Sequence, residues 1–212
     1  IMVLSRDEHK HVNLEKEYNS ISNLTFKIGD VKDINSIRNA VEDYKPHIVI
    51  NTAALKHVPI CEHNPYESVN VNILGHQNLI QSIKRSNHRI ETLMFISTDK
   101  ACAPINVYGM CKAISERLYV DFANKQKNIK IVLCRYGNVL ECEGLKEIGI
   151  RPGEKLHEAM ISEIEWMRTI DVGNNYLITN KIQTTQSKSY NSLDALMPDE
   201  EVYEFLKTSK VL

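Results

Sequence analysis

Tyr108 and Lys112 stand four residues apart, a spacing that places two side chains on one face of an α-helix. A lysine ammonium beside a phenol favours the phenolate and lowers its pKa. A tyrosine so placed can take the proton of a sugar hydroxyl near neutral pH. A few residues earlier lies a second ionisable pair, Asp99-Lys100. Taken alone, the first pair also describes a solvated helix face and the second a surface ion pair. Their place argues otherwise, because Asp99-Lys100 closes a strand pattern and Tyr108 opens the next helical one. In open α/β sheets, ligands bind where strands end and helices begin.

Such residues need elements to position them. Ile1–Leu4, Leu24–Ile28, His47–Asn51, Thr92–Ser97 and Lys130–Tyr136 read as strands. Between them Asp7–Tyr18, Ile34–Tyr44, a stretch from Pro65 to about Lys84, and Asn106–Asn124 read as helices. Apolar residues at 34, 37, 41 and 44 keep helical spacing. Pro65 suits a first helical turn. Strand and helix alternating in this way predict an α/β chain with a parallel sheet covered on both faces. After Cys142 the pattern weakens. Ser162–Arg168 reads as helical, Tyr176–Thr179 as a strand, Gln183–Ser192 as irregular and Asp199–Lys207 as a closing helix.

Composition narrows the classes. Lys and Arg number 26 against 27 Asp and Glu, so no basic surplus exists to neutralise a nucleic-acid backbone. No apolar run is long enough to span a bilayer, and Ile1–Asp7 lacks the layout of a signal peptide. The five cysteines, 61, 102, 111, 134 and 142, are odd in number and form no Cys-x-x-Cys pair. They predict reduced thiols in a cytoplasmic protein. Cys102 and Cys111 flank the candidate catalytic residues and read as small buried side chains. His47, His57, His63, His76 and His157 show no metal-ligand spacing and read as surface or packing residues. No metal, nucleic-acid or membrane partner is expected.

The segment from Ser97 to Lys112, Ser-Thr-Asp-Lys-Ala-Cys-Ala-Pro-Ile-Asn-Val-Tyr-Gly-Met-Cys-Lys, resembles the active-site stretch of extended short-chain dehydrogenase/reductases. More narrowly it resembles the inverting UDP-N-acetylglucosamine 4,6-dehydratases of the polysaccharide-biosynthesis family. Other segments match in order: Ser5-Arg6-Asp7-Glu8, Gly29–Asp33, Ala53–Pro59, Asn70–Gly75, Arg135–Val139 and the Arg151–Glu158 run Arg-Pro-Gly-Glu-Lys-Leu-His-Glu. The likeness covers most of residues 1–160.

The resemblance implies a Rossmann-like doubly wound parallel sheet over residues 1–143 that binds NADP, and a short C-terminal substrate-side segment over 144–212. Arg6 and Ser5 would hold the 2′-phosphate of NADP, a placement that an arginine after the second strand also suggests physically. Asp30 and Val31 would flank the adenine, and Ala53, Ala54, Lys56 and Asn72 would line the cofactor path. Tyr108 and Lys112 would be the oxidation pair and touch the cofactor. Asp99 and Lys100 would be the elimination pair. Thr98, Asn138, Arg151 and Glu154 would contact a UDP-sugar, as would the rest of the Arg151–Glu158 segment. The expected activity is nucleotide-sugar 4,6-dehydration, by a homo-oligomer in the cytoplasm. A 4- or 5-epimerase of the same family is the alternative, and a non-catalytic remnant that binds a partner or nucleotide-sugar is the third reading. Tyr108 leans toward the dehydratase, because the sister epimerases often carry Met there.

Two family features are missing. No glycine-rich dinucleotide loop occurs in the 212 residues, although such glycines let a backbone approach a pyrophosphate. A block of about a hundred residues that the resemblance places after Asn138 is replaced by a short bridge, far nearer an ordinary connection. In the order 3-2-1-4-5-6 the first strand is central. Its absence predicts two half-sheets with unpaired edges.

Overall fold

The computed structural model describes residues 1–137, 153–155, 157–173, 175–179, 181–186, 188–192 and 194. Strand β1 (Met2–Ser5) pairs in parallel with β2 (Thr25–Ile28), Met2 opposite Thr25 and Ser5 opposite Ile28. Strands β3 (Ile48–Asn51), β4 (Thr92–Ile96) and β5 (Lys130–Cys134) form a second parallel sheet in that order. Thr92 stands opposite both Ile48 and Lys130. Two separate parallel sheets, β1-β2 and β3-β4-β5, are thus present, as expected, and Ile48 and Ile50 on β3 are about 60% exposed.

The helices follow from local chemistry. Asp7 caps α1 (Glu8–Glu17) by accepting from the Lys10 amide. Asp33 caps α2 (Ile34–Tyr44) by accepting from Asn35. Helix α2 buries Ile37, Ala40 and Val41, and α5 (Gly75–Arg85) buries Leu79, Ile80 and Ile83. These faces join Ile90, Leu93, Phe95, Tyr119 and Phe122 in one apolar core, with Leu4 and Val49 packed against it.

The structure differs from expectation in several places. Val58–His63 forms a short helix, α3, that no periodicity announced. The helix predicted from Pro65 is three consecutive pieces: α4 (Pro65–Val69), a π-helical turn (Asn70–Leu74) and α5. Such turns are rare and often mark functional positions. The strand predicted to Tyr136 stops at Cys134. Toward the C-terminus, β6 (Ala159–Ile161) pairs antiparallel with β9 (Tyr190–Asn191), which closes the stretch read as irregular. Helix α7 (Glu163–Trp166) is followed by the β7 (Thr169–Asp171) and β8 (Tyr176–Ile178) hairpin pair. The closing helix expected over 199–207 lies outside the described residues.

The chain divides into two compact units. The first comprises Ile1–Lys56, Asn64–Ile96 and Ile114–Cys134, and the second His57–His63, Ser97–Ala113 and Arg135–Leu212. Helix α6 (Val107–Lys125) contributes residues to both.

Candidate active site

In the second unit, Thr98 caps a 3-10 turn over Asp99–Ala101. Asp99 is 3% exposed, and its Oδ1 collects three donors. These are the Thr98 hydroxyl at 2.8 Å, the Lys100 amide at 2.7 Å and the Lys100 ammonium at 3.2 Å. The Asp99 amide donates to the Tyr136 carbonyl at 3.0 Å. Asp99 and Lys100, the pair expected to carry elimination, thus form a direct, largely buried ion pair, not a surface one.

The first residues of α6 include Tyr108 and Lys112, the pair expected to carry oxidation. Asn106 anchors this end. Its Oδ1 accepts from the Gly109 amide at 2.7 Å and its Nδ2 donates to the Gly153 carbonyl at 2.7 Å. Glu62 accepts from the Val107 amide at 2.7 Å. Tyr108 and Lys112 are both buried, at 5% and 2% exposure. The Tyr108 and Thr98 hydroxyls share a hydrogen bond.

The phenol does not titrate as its spacing to Lys112 predicts. Burial pushes it well above its ordinary value, and the nearby Tyr136, Asp99 and Cys61 add to the rise. The Thr98 hydrogen bond offsets this only in part. Helical spacing reports that two residues share a face, but it does not report how little water reaches the hydroxyl. Cys102 and Cys111 are buried as expected, and burial pushes both thiols up to about 11, which leaves them poor nucleophiles.

Two residues from the late motif approach this turn. Lys155 donates to the Ala103 carbonyl at 2.6 Å and to that of Cys102 at 3.3 Å. Glu158 lies 3.7 Å from the Lys100 ammonium and 3.9 Å from that of Lys155. The sequence reading placed both residues within the substrate-contacting segment. Their contact with a turn more than fifty residues earlier has no local signal. Glu154 is half-buried, while Asn138 and Arg151 lie outside the described residues. A further buried pair within the second unit joins Arg135 to Glu165 of α7 at 2.8 Å.

Apart from Tyr108 and Lys112, which lie in the second unit, the candidate cofactor residues belong to the first unit. Arg6, half-exposed, lies 3.9 Å from Asp30. The Ser5 hydroxyl accepts from the Asp7 amide at 3.2 Å. Val31 packs on Gly75, where a β-carbon would come within 2.8 Å of it. After β3 the loop is pinned at alternate residues. Asn51 Oδ1 accepts from the Ala53 amide at 3.1 Å, and the His76 ring contacts the Ala53 carbonyl at 3.2 Å. Asn72 Oδ1 accepts from the Leu55 amide and its Nδ2 donates to the Leu55 carbonyl, both at 2.9 Å. The Ser115 hydroxyl in turn donates to the Asn72 carbonyl. Ala54 falls between these pinned positions and Lys56 directly follows the second. His76 is therefore a fully buried, hydrogen-bonded residue among Asn51, Phe95 and Tyr119.

A parallel α/β chain with a tyrosine–lysine helix start beside a buried acid–lysine turn defines a Rossmann-like short-chain dehydrogenase/reductase. Residues 1–145 match the polysaccharide biosynthesis protein family, and the chain belongs to it. It is 42% identical over 147 residues to an uncharacterized membrane protein of Methanocaldococcus jannaschii, covering 68% of this chain and 42% of that one. It is 39% identical over 146 residues to a UDP-glucose 4-epimerase of Rickettsia bellii, covering 68% of this chain and 41% of the epimerase. It is 30% identical over 270 positions to an inverting UDP-N-acetylglucosamine 4,6-dehydratase of Campylobacter jejuni, covering 92% of this chain and 79% of the dehydratase. The chain thus spans about two fifths of the length of two of these relatives. Since 270 positions exceed the 212 residues available, at least 58 of them face no residue here, in keeping with the expected internal gap.

Among solved structures, Pen from Bacillus thuringiensis superposes with a TM-score of 0.85 at 22% identity, over all of this chain and 90% of that one. A UDP-glucose 4-epimerase from Brucella ovis in complex with NAD gives 0.50 at 22% identity, over 65% of this chain and 51% of that one. Both likenesses bear on the fold. Among the described residues no helix is long and apolar enough to cross a membrane.

Proposed function

We propose that this chain carries the acid–base centre of an NADP-dependent nucleotide-sugar 4,6-dehydratase acting on a UDP-N-acetylglucosamine-type substrate. One observation carries the reading: Thr98, Asp99, Lys100, Tyr108 and Lys112 are all buried or nearly so in one unit, with Asp99 hydrogen-bonded to Lys100 and Thr98 to Tyr108. Tyr108 takes the proton of the sugar 4-hydroxyl. NADP, when bound, supplies the acceptor for hydride leaving C4 and returns it at C6. The resulting 4-ketone acidifies C5. Lys100 and Asp99 then serve as the base that removes the C5 proton and the acid that protonates the departing 6-hydroxyl, which leaves as water, and as hydride reaches C6 the Lys100 ammonium gives a proton back to C5. The direct contact between them gives a path for the proton exchange that sets their roles.

The first unit fits one end of the cofactor. Arg6 and Ser5 at the end of β1 offer donors for a 2′-phosphate, and the pinned loop after β3 offers a fixed backbone. The residues present include no glycine-rich cradle for the pyrophosphate.

A 4-epimerase is the second reading, favoured by the higher identity of the Rickettsia enzyme. The dehydratase alignment extends over 92% of this chain against 68%, and so includes sequence well beyond the Rossmann-like part. The deciding experiment incubates the protein with UDP-N-acetylglucosamine and NADP in deuterated water and follows products by NMR. A 4-keto-6-deoxy sugar with deuterium at C5 supports the dehydratase. An epimerised hexose without dehydration overturns it.

A further inference from the structure

We propose that Lys155 and Glu158 are positioning residues that brace the Asp99–Ala101 turn and hold the Lys100 side chain in place. What Lys100 does there rests on the dehydratase reading, whereas the brace rests on geometry alone.

Three contacts join the Gly153–Glu158 segment to the catalytic turn and the start of α6. The Gly153 carbonyl accepts from Asn106, the residue that also caps Gly109. Gly153 has a φ of 84°, and a β-carbon there would press on Asn106 and Val58 at 3.3 Å. Lys155 donates to the Cys102 and Ala103 carbonyls. Ala103 is held at a φ of 45°, a left-handed conformation that a non-glycine residue keeps only when its surroundings enforce it. Lys155 supplies that enforcement at the exit of the turn.

Glu158 completes the brace. The residue is 8% exposed. Its Oε1 faces Lys100 at 3.7 Å and its Oε2 faces Lys155 at 3.9 Å. Oε2 is buried with no hydrogen-bond partner. A buried carboxylate oxygen in that condition is costly, so its charge must be balanced by the two ammonium groups. Lys100 thus stands between carboxylates from two parts of the chain, Asp99 on its own turn and Glu158 before β6. Acid–base chemistry loses rate steeply when a reacting group strays by an ångström. A lysine side chain with four rotatable bonds needs such fixing. Lys155 and Glu158 therefore act on the turn, not on the nucleotide-sugar that the family resemblance assigns to their segment.

The test uses Glu158→Gln, Glu158→Asp and Lys155→Met in the 212-residue chain. Limiting acetic anhydride and peptide mass spectrometry give the acetylation rate of Lys100 relative to exposed Lys125. Glu158→Gln and Lys155→Met should each speed Lys100 labelling by about tenfold, the scale of one charge-assisted contact, and Glu158→Asp should restore part of the protection. Unchanged Lys100 labelling in both variants overturns the proposal. Should Glu158→Gln fail to fold, Lys155→Met decides alone. If the unsubstituted protein binds no UDP-sugar, the dehydratase reading fails while the labelling still decides the brace.

Discussion

A β-carbon on Gly109 would collide with the carbonyl oxygen of Lys100. The first turn of α6 therefore rests directly on the backbone of Lys100, with Tyr108 immediately before the contact. Alanine inside a helix ordinarily gains about 1 kcal/mol over glycine. Here the obstacle is backbone, which cannot rotate aside, and overpacking costs about 1–3 kcal/mol or more. Gly109→Ala should thus destabilise the protein despite its better helix propensity. Urea denaturation checks the sign. A variant as stable as the parent would mean that α6 does not sit on the turn this closely.

Arg6 governs the cofactor prediction. Its guanidinium is half-exposed and only 3.9 Å from Asp30, so it is loosely held and available to a 2′-phosphate. Losing a hydrogen bond to a charged group costs about 1.5–3 kcal/mol, and the exposure argues for the lower end. Arg6→Ala should weaken NADPH binding about tenfold and leave NADH binding unchanged. Fluorescence titration with both cofactors reads the difference. An equal loss for both would remove the case for NADP.

The Arg135–Glu165 pair predicts acid sensitivity. Burial pushes the Glu165 carboxyl up. The hydrogen bond and charge of Arg135, with the Ser162 amide and hydroxyl, outweigh that and hold it at about 2. The folded value lies below the ordinary 4.5. The stabilisation is therefore fully present above pH 4.5 and is lost as pH falls toward 2. It amounts to roughly 3 kcal/mol. Unfolding at pH 6 and pH 3 should show Glu165→Gln less stable than the parent at the higher pH, with the gap narrowing at the lower. A gap that does not depend on pH would assign the loss to packing.

How far these features could be read from sequence depended on their range. The burial of Ile37, Ala40 and Val41 on α2 follows from helical spacing, and the shared face of Tyr108 and Lys112 from a four-residue step. The split into β1-β2 and β3-β4-β5 followed from one missing strand in a known order. Strands of two or three residues, such as β6 and β9, are too short to show alternation. The π-helical turn at Asn70–Leu74 continues directly from α4 into α5, and no break in the residue pattern marks it. The contacts of Glu158 with Lys100 and of Gly109 with the turn belong to packing between distant segments. So does the raised phenol of Tyr108, whose desolvation only the folded chain creates.

Tyr108 and Lys100 should act at separable steps. Tyr108 is the buried hydroxyl bonded to Thr98, placed to accept the 4-hydroxyl proton. Lys100 lies on the preceding turn against Asp99 and Glu158, placed to serve C5 and C6. Because burial holds the phenol above its ordinary value, oxidation should speed up as pH rises through the neutral range, as the phenolate fraction grows. Tyr108→Phe should abolish reduction of NADP by the nucleotide-sugar. Lys100→Ala should still permit that reduction but stop elimination, so that reduced cofactor or a 4-keto sugar accumulates. Groups of this kind are each worth about 10²–10⁴ in rate, well beyond experimental error. Deuterium exchange at C5 isolates the second step, since it reports proton removal without elimination. Lys100→Ala with undiminished exchange, together with Tyr108→Phe that still reduces cofactor, would show that the chemistry happens elsewhere in the protein.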